Sequence, residues 1–263
     1  MGKYLKKKEK TSPWQKLLGI ALLIGFAFLG IHLLSAPEPQ QERAWAPADF
    51  YWQDGILQCD AGEAVTGIDV SSHQEQIDWQ QVKAAGIEFV FVRLGYRGYE
   101  TGVLTQDTRA LQNLDGAKAA GLSVGAYVFS QALDIKEAEE EAAFALEILA
   151  GRRLDLPLVF DWEFVSKDAR TGNMDRRTLT DCTLAFCRAA ETAGYEPMVY
   201  FNGSQARDLL YLEELSGYRF WLAQYDTVLN YPYKIDMWQY TETGTVPGIS
   251  GNVDINLYFP WKE

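Results

Sequence analysis

Leu158-Val159-Phe160-Asp161-Trp162-Glu163 is apolar up to its fourth residue and then carries two acids spaced i, i+2. The β-branched and aromatic content after Pro157 reads as a buried strand. Side chains alternate across a strand, so Asp161 and Glu163 share one side. They stand at its C-terminal end, which is where ligands bind in folds built from strand-helix units. Two carboxylates crowded on one face raise each other's pKa. That keeps one protonated near neutral pH while its neighbour is charged. Taken alone, the stretch fits a solvated strand end with two surface acids equally well.

The rhythm on either side decides the context. Strands are predicted over residues 64–70, 87–94, 122–129, 156–162, 197–201 and 219–224. Helices fall between them over 79–85, 107–120, 135–150, 179–193 and 205–214, several closed by a glycine such as Gly121, Gly151 or Gly194. Beyond residue 224 helical periodicity stops, and residues 234–240 and 253–258 read as two further strands. The expectation is an α/β fold: an irregular barrel of five strand-helix units plus three further strands, (β/α)5(β)3, preceded by one transmembrane helix. No GxGxxG or phosphate-binding loop follows the first strand, so a nucleotide fold finds no support.

The chain has 263 residues, 48% hydrophobic, with 8 Trp, 14 Tyr and 13 Phe, enough for one large core and for flat rings that stack on sugars. The net charge of −12 argues against nucleic acid as a partner. It is unevenly spread: residues 1–16 hold six lysines against Glu9, a net of +5, and residues 17–35 hold no formal charge, which leaves −17 for the rest. The 18 residues of LLGIALLIGFAFLGIHLL (17–34) reach roughly 27 Å as a helix, about the thickness of a hydrocarbon core. The lysines precede the apolar run, so the predicted order is a basic cytoplasmic tail (1–16), an uncleaved anchor (17–35), a linker (36–62) and an exported domain (63–263). Phe50, Tyr51, Trp52, Ile56 and Leu57 stand out within the linker as residues able to dock on the domain. Cys59, Cys182 and Cys187 make no disulfide framework, and the latter two read as small buried hydrophobes. With two histidines in all, no metal site is predicted.

Each predicted strand end carries something polar. These residues are Asp69, Arg93, Tyr127, Asp161 with Glu163, Tyr200, Tyr225, Trp238 with Gln239, and Asp254. If the first and last strands close a barrel, Asp69, Asp161, Glu163 and Asp254 converge on one cleft ringed by aromatics. Paired carboxylates among aromatic rings suit glycosidic bond cleavage. The acids between Glu137 and Glu147 read as a solvated helix face.

The ordered set of stretches resembles glycoside hydrolase family 25, the muramidase family of phage endolysins and bacterial wall hydrolases. The resemblance is carried by GIDVSSHQ (67–74), GIEFVFVRLG (86–95), GLSVGAYVF (121–129), residues 137–144, PLVFDWE (157–163), GYEPMVY (194–200), FWLAQY (220–225), MWQY (237–240) and GNVDIN (251–256). It departs at Val128, where many members carry His, although alternation turns residue 128 away from the side of Tyr127. The resemblance implies the irregular barrel and hydrolysis of the β-1,4 bond between N-acetylmuramic acid and N-acetylglucosamine in peptidoglycan, without a cofactor. It implies Glu163 as general acid and base. It implies that Asp161 either assists the substrate's 2-acetamido group or attacks directly, with Asp69 and Asp254 completing the acid set. Arg93, Tyr127, Tyr200, Tyr225, Trp238 and Gln239 are the candidate substrate-binding residues. His73 is read as ordering its loop. A monomer on the wall side of the cell membrane is expected. A glycan-binding module without turnover is the alternative, and retention of all four acids argues against it. A chitinase-type acidic run fails at Val159.

Overall fold

The computed structural model describes residues 45–53, 56–60 and 64–259, all within the second of two units into which the chain divides, Pro39–Glu263. The predicted tail and anchor, and linker residues 36–44, lie outside the described residues. Among the described residues no helix is long and apolar enough to cross a membrane.

Eight strands close into a barrel-like sheet. They are β3 (Val65–Val70), β4 (Phe89–Arg97), β6 (Ser123–Ser130), β7 (Leu158–Trp162), β8 (Pro197–Asn202), β9 (Arg219–Ala223), β10 (Met237–Gly244) and β11 (Val253–Tyr258). Neighbours from β3 through β10 pair in parallel, whereas β11 runs antiparallel to both β10 and β3 and closes the sheet. β5 (Leu104–Gln106) extends β4 at one edge, outside the closed ring.

Five helices separate the first six barrel strands: α1 (Trp79–Ala84), α2 (Ala110–Ala119), α3 (Ile135–Leu149), α4 (Arg176–Thr192) and α5 (Gly203–Asp208). Four of them start where an Asp or Asn accepts backbone N–H groups of the first turn. Asp78, Asp134, Asp175 and Asn202 play that part for α1, α3, α4 and α5. Asp175 therefore starts α4 three residues before the predicted boundary. The predicted helix over 205–214 is two pieces, α5 and a 3-10 turn at Leu212–Leu215.

Alternation sorts the strand residues into two cores. Phe89, Phe91, Tyr127, Val159, Met198, Tyr200, Trp221 and Met237 fill the barrel, while the opposite strand faces pack against the helices. Gly67 and Gly125 make room inside: a Cβ at either would come within 2.4 Å of the Phe89 or Phe91 ring. Cys182 and Cys187 lie buried in the outer core, as predicted, and so does Val128.

Among the described residues no helix covers β10 and β11. A hairpin of β1 (Phe50–Gln53) and β2 (Ile56–Cys59) takes that place. Trp45 stacks on Phe259 at 4.4 Å, Phe50 meets Trp238 edge-on at 5.3 Å, and Trp52 meets Tyr240 at 5.8 Å. The backbone N–H of Leu57 donates to the Tyr240 hydroxyl. The part of the predicted linker from Trp45 to Cys59 is thus docked on the barrel.

Candidate active site

The parallel strands aim their C-terminal ends at one mouth, and most of them, together with β11, place a polar residue there. Asp69 on β3, Arg93 on β4, Tyr127 on β6, Asp161 on β7, Tyr200 on β8, Gln239 on β10 and Asp254 on β11 line a cavity of about 260 Å3 together with Glu163 and Tyr225. Nine of the ten residues singled out from sequence share this pocket. Asp161 and Asp69 are buried, whereas Tyr225 is half exposed on the loop after β9.

Trp238 is the exception and corrects the prediction. Gln239 points into the barrel, so strand alternation turns Trp238 out. Its ring is fully buried against the β1–β2 hairpin, and its indole N–H donates to the Gln224 carbonyl at 2.8 Å. A second correction concerns α3. Glu141 is 0% exposed, accepting from Arg97 Nε at 2.8 Å, and Glu137 pairs with Arg170 at 2.6 Å. Glu139, Glu140 and Glu147 are exposed, as expected of a solvated face, so the correction concerns Glu137 and Glu141 alone, which pair with the loop between β7 and α4 and with β4.

A chain of donors fixes the floor. The Tyr200 and Tyr225 hydroxyls both donate to Gln239 Oε1 at 3.0 Å, which leaves the Gln239 amide nitrogen to donate to Asp69 Oδ2 at 2.9 Å. Asn256 Nδ2 donates to the same oxygen at 2.8 Å, and Trp221 Nε1 orients Asn256 by donating to its Oδ1 at 2.9 Å. Asp254 sits directly across the β3–β11 ladder from Asp69 and hydrogen-bonds to it. Burial, and then the Asp69 charge, push the Asp254 carboxyl up to about 9, so the shared proton resides on Asp254. Asp69 itself is raised by burial, partly offset by its three donors.

Burial dominates the other two acids as well. Asp161 is held well above the ordinary carboxylate range by burial and by the Glu163 charge. Among the described residues its Oδ1 has no hydrogen-bond partner. Glu163 is pushed up to about 7 by burial first and then by Asp69 and Glu242. Burial is thus the main cause, as expected, and the repulsion between Asp161 and Glu163 raises Asp161. Such a carboxyl can carry a proton at neutral pH and still release it.

Arg93 is held by Asp107, which accepts from its Nε at 2.9 Å and lies 2.8 Å from its Nη2 in an ion pair. Asp107 also accepts the backbone N–H groups of Ser72 and Arg109, tying the guanidinium to two loops. The Ser72–Gln74 turn is capped by Ser71, whose Oγ accepts from the His73 backbone N–H, and His73 itself lines the cavity. Sequence reading missed Asp107, Trp221, Asn256 and Glu242. Alternation along β9 and β11 points Trp221 and Asn256 inward and was signal enough. Glu242 had none, because bulges between Gln239 and Gly244 break the alternation of β10. Among the described residues no cluster of side chains is suited to hold a metal ion.

Known proteins share this architecture. The autolytic lysozyme of Clostridium acetobutylicum is 28% identical over 196 residues, covering 73% of this chain and 55% of that protein. Among solved structures, the modular autolysin LytC of Streptococcus pneumoniae superposes with a TM-score of 0.68 at 24% identity, a likeness of fold that covers 80% of this chain and 52% of LytC. The bacterial lysozyme of Streptomyces coelicolor superposes with a TM-score of 0.61 at 25% identity, covering 74% of this chain and 91% of that one. The chain thus spans about half the length of the clostridial lysozyme and of LytC. The sequence pattern of the glycosyl hydrolases family 25 matches residues 68–249, a stretch that runs from β3 past β10 and includes eight of the nine predicted residues gathered in the cavity, all but Asp254. With ordered motifs, closed barrel and acidic mouth in agreement, the chain belongs to glycosyl hydrolases family 25.

Proposed function

We propose that this protein is a membrane-anchored muramidase that hydrolyses the β-1,4 bond between N-acetylmuramic acid and N-acetylglucosamine in peptidoglycan. The observation that carries the reading is the acidic mouth of the barrel, where Glu163 is poised at about 7 beside a buried Asp161. Relatives named as lysozymes support the choice of substrate.

In this reading Glu163 gives its proton to the glycosidic oxygen as the bond to the anomeric carbon breaks. The carbonyl oxygen of the 2-acetamido group then bonds that carbon from within the substrate. Asp161 supports this step by accepting the acetamido N–H on its open oxygen, Oδ1. Water next attacks the anomeric carbon, Glu163 takes its proton, and the acetamido group is released. Asp69, Asp254 and Gln239 hold the floor of the site, while Arg93, Tyr127, Tyr200 and Tyr225 contact the sugars. Residues 17–35 anchor the enzyme with the domain on the wall side, where its polymer lies.

The test uses the full chain in detergent beside Glu163→Gln, each incubated with purified peptidoglycan. Products are reduced with borohydride and weighed by mass spectrometry. Reduced N-acetylmuramic acid ends from the wild type alone are the expected outcome. Binding by both proteins with no release overturns the proposed activity in favour of a glycan-binding module.

A further inference from the structure

Glu163 lies one residue beyond the end of β7, whose last ladder partner is Trp162 opposite Ser130. The sheet therefore does not hold its backbone. Two glutamine side chains take over. Gln205 Nε2 donates to the Trp162 carbonyl, and Gln131 Nε2 donates to the Glu163 carbonyl at 2.8 Å.

Gln131 is fully buried and gripped at each of its remaining polar groups. The Thr171 hydroxyl donates to its Oε1 at 2.5 Å, which fixes the amide so that the nitrogen faces Glu163. Its backbone N–H donates to Glu141 Oε1 at 3.3 Å, and its carbonyl accepts from Arg170 Nη1 at 3.0 Å. Arg170 makes a two-pronged pair with Glu137 at 2.6 and 2.8 Å. Arg97 donates to Glu141 Oε1 and to the Glu137 carbonyl, at 2.8 and 2.9 Å. The set links β4, the end of β6, the start of α3 and the loop after β7. None of these side chains lines the cavity. Apart from Glu141 Oε2, which has no partner among the described residues, the network is connected; such a network rigidifies what it holds, and a catalytic group needs that support to keep its geometry.

We infer that Gln131, oriented by Thr171 and Arg170, is a positioning residue that fixes Glu163 at the mouth of the barrel. The inference rests on Glu163 being the acid of the proposed reaction. Gln131 touches no substrate, so its loss acts on turnover and not on binding.

The experiment compares the full chain in detergent with Gln131→Leu, Thr171→Val and Thr171→Ser, on soluble peptidoglycan fragments. Gln131→Leu keeps the volume and removes the amide. It is expected to lower kcat about 10–100-fold, the scale set by a displacement of roughly 1 Å, with KM within about twofold of wild type. Thr171→Val is expected to lose part of the same factor, and Thr171→Ser to restore it. Carboxyl 13C NMR, with the Glu163 resonance assigned by its loss in Glu163→Gln, reads the site without turnover. In Gln131→Leu the Glu163 titration is expected to move down, as the carboxyl swings toward water. A kcat within twofold of wild type in Gln131→Leu, or an unmoved Glu163 titration, overturns the inference. Should Gln131→Leu fail to fold, the Thr171 pair decides: equal kcat in the Val and Ser variants overturns it. A wild type that releases no fragments would count against the proposed activity alone, and the NMR titration would then decide the positioning role.

Discussion

Glu163 shows how one side chain gains its chemistry from its surroundings. Burial and the neighbouring Asp69 and Glu242 hold it at about 7. In the proposed reaction the protonated form gives its proton to the glycosidic oxygen, so kcat/KM on peptidoglycan fragments is expected to be flat just below pH 7. Above that it should fall about tenfold per unit as the proton is lost. A stopped assay over pH 5–9 checks this, and an unbroken rise to pH 9 contradicts it. The same shift makes a stability prediction of opposite use. Folding favours the protonated carboxyl, so its contribution is complete below the unfolded value of about 4.3 and is lost as pH rises through about 7. Glu163→Gln has nothing to ionise. Its melting temperature is expected to exceed that of the wild type by on the order of 10 °C at pH 8 and to match it near pH 4.5. The Asp161–Glu163 pair was legible in six residues of sequence because strand alternation is local. The source of the shift was not, because Asp69 and Glu242 arrive from opposite ends of the chain.

At the scale of the element, β10 carries two duties on its two faces. Gln239 orients the floor of the site, and Trp238 anchors the β1–β2 hairpin. Trp238→Ala is expected to destabilise the domain by about 3–5 kcal/mol through the cavity it leaves, with KM within about twofold of wild type. Thermal denaturation and steady-state kinetics on one preparation check both halves, and a large rise in KM at unchanged stability would place the ring in the cleft after all. Sequence reading put Trp238 in the cleft because MWQY marks the strand without fixing its register. Only the pairing of Gln239 with Ala223 and Asn256 decides which neighbour faces inward. Part of the polar face of α3 was misread for a related reason. Glu137 and Glu141 follow helical spacing for a solvated stripe, and their partners Arg97 and Arg170 are distant in sequence.

For the whole molecule, no helix among the described residues covers β10 and β11, and residues 45–53 and 56–59 supply the cover. Removing residues 1–59 is expected to expose Trp238, Tyr240 and Phe259, to lower the melting temperature by more than about 5 °C, and to promote association through the bared apolar surface. Calorimetry and light scattering, set against the full chain, check this. A truncated form as stable and as dispersed as the full chain would show the hairpin to be dispensable.

The sequence by itself determined the barrel class, the order of strands and helices, and nine of the fifteen residues that line the pocket. Strand and helix periods are written locally, and strand ends are marked by a change from apolar to polar residues. Tertiary structure alone decided the outward turn of Trp238, the entry of Glu242 through a bulge, the proton shared by Asp69 and Asp254, and the buried network behind Glu163. Each of these depends on which distant segments touch, and on how much water their contact removes from a charge.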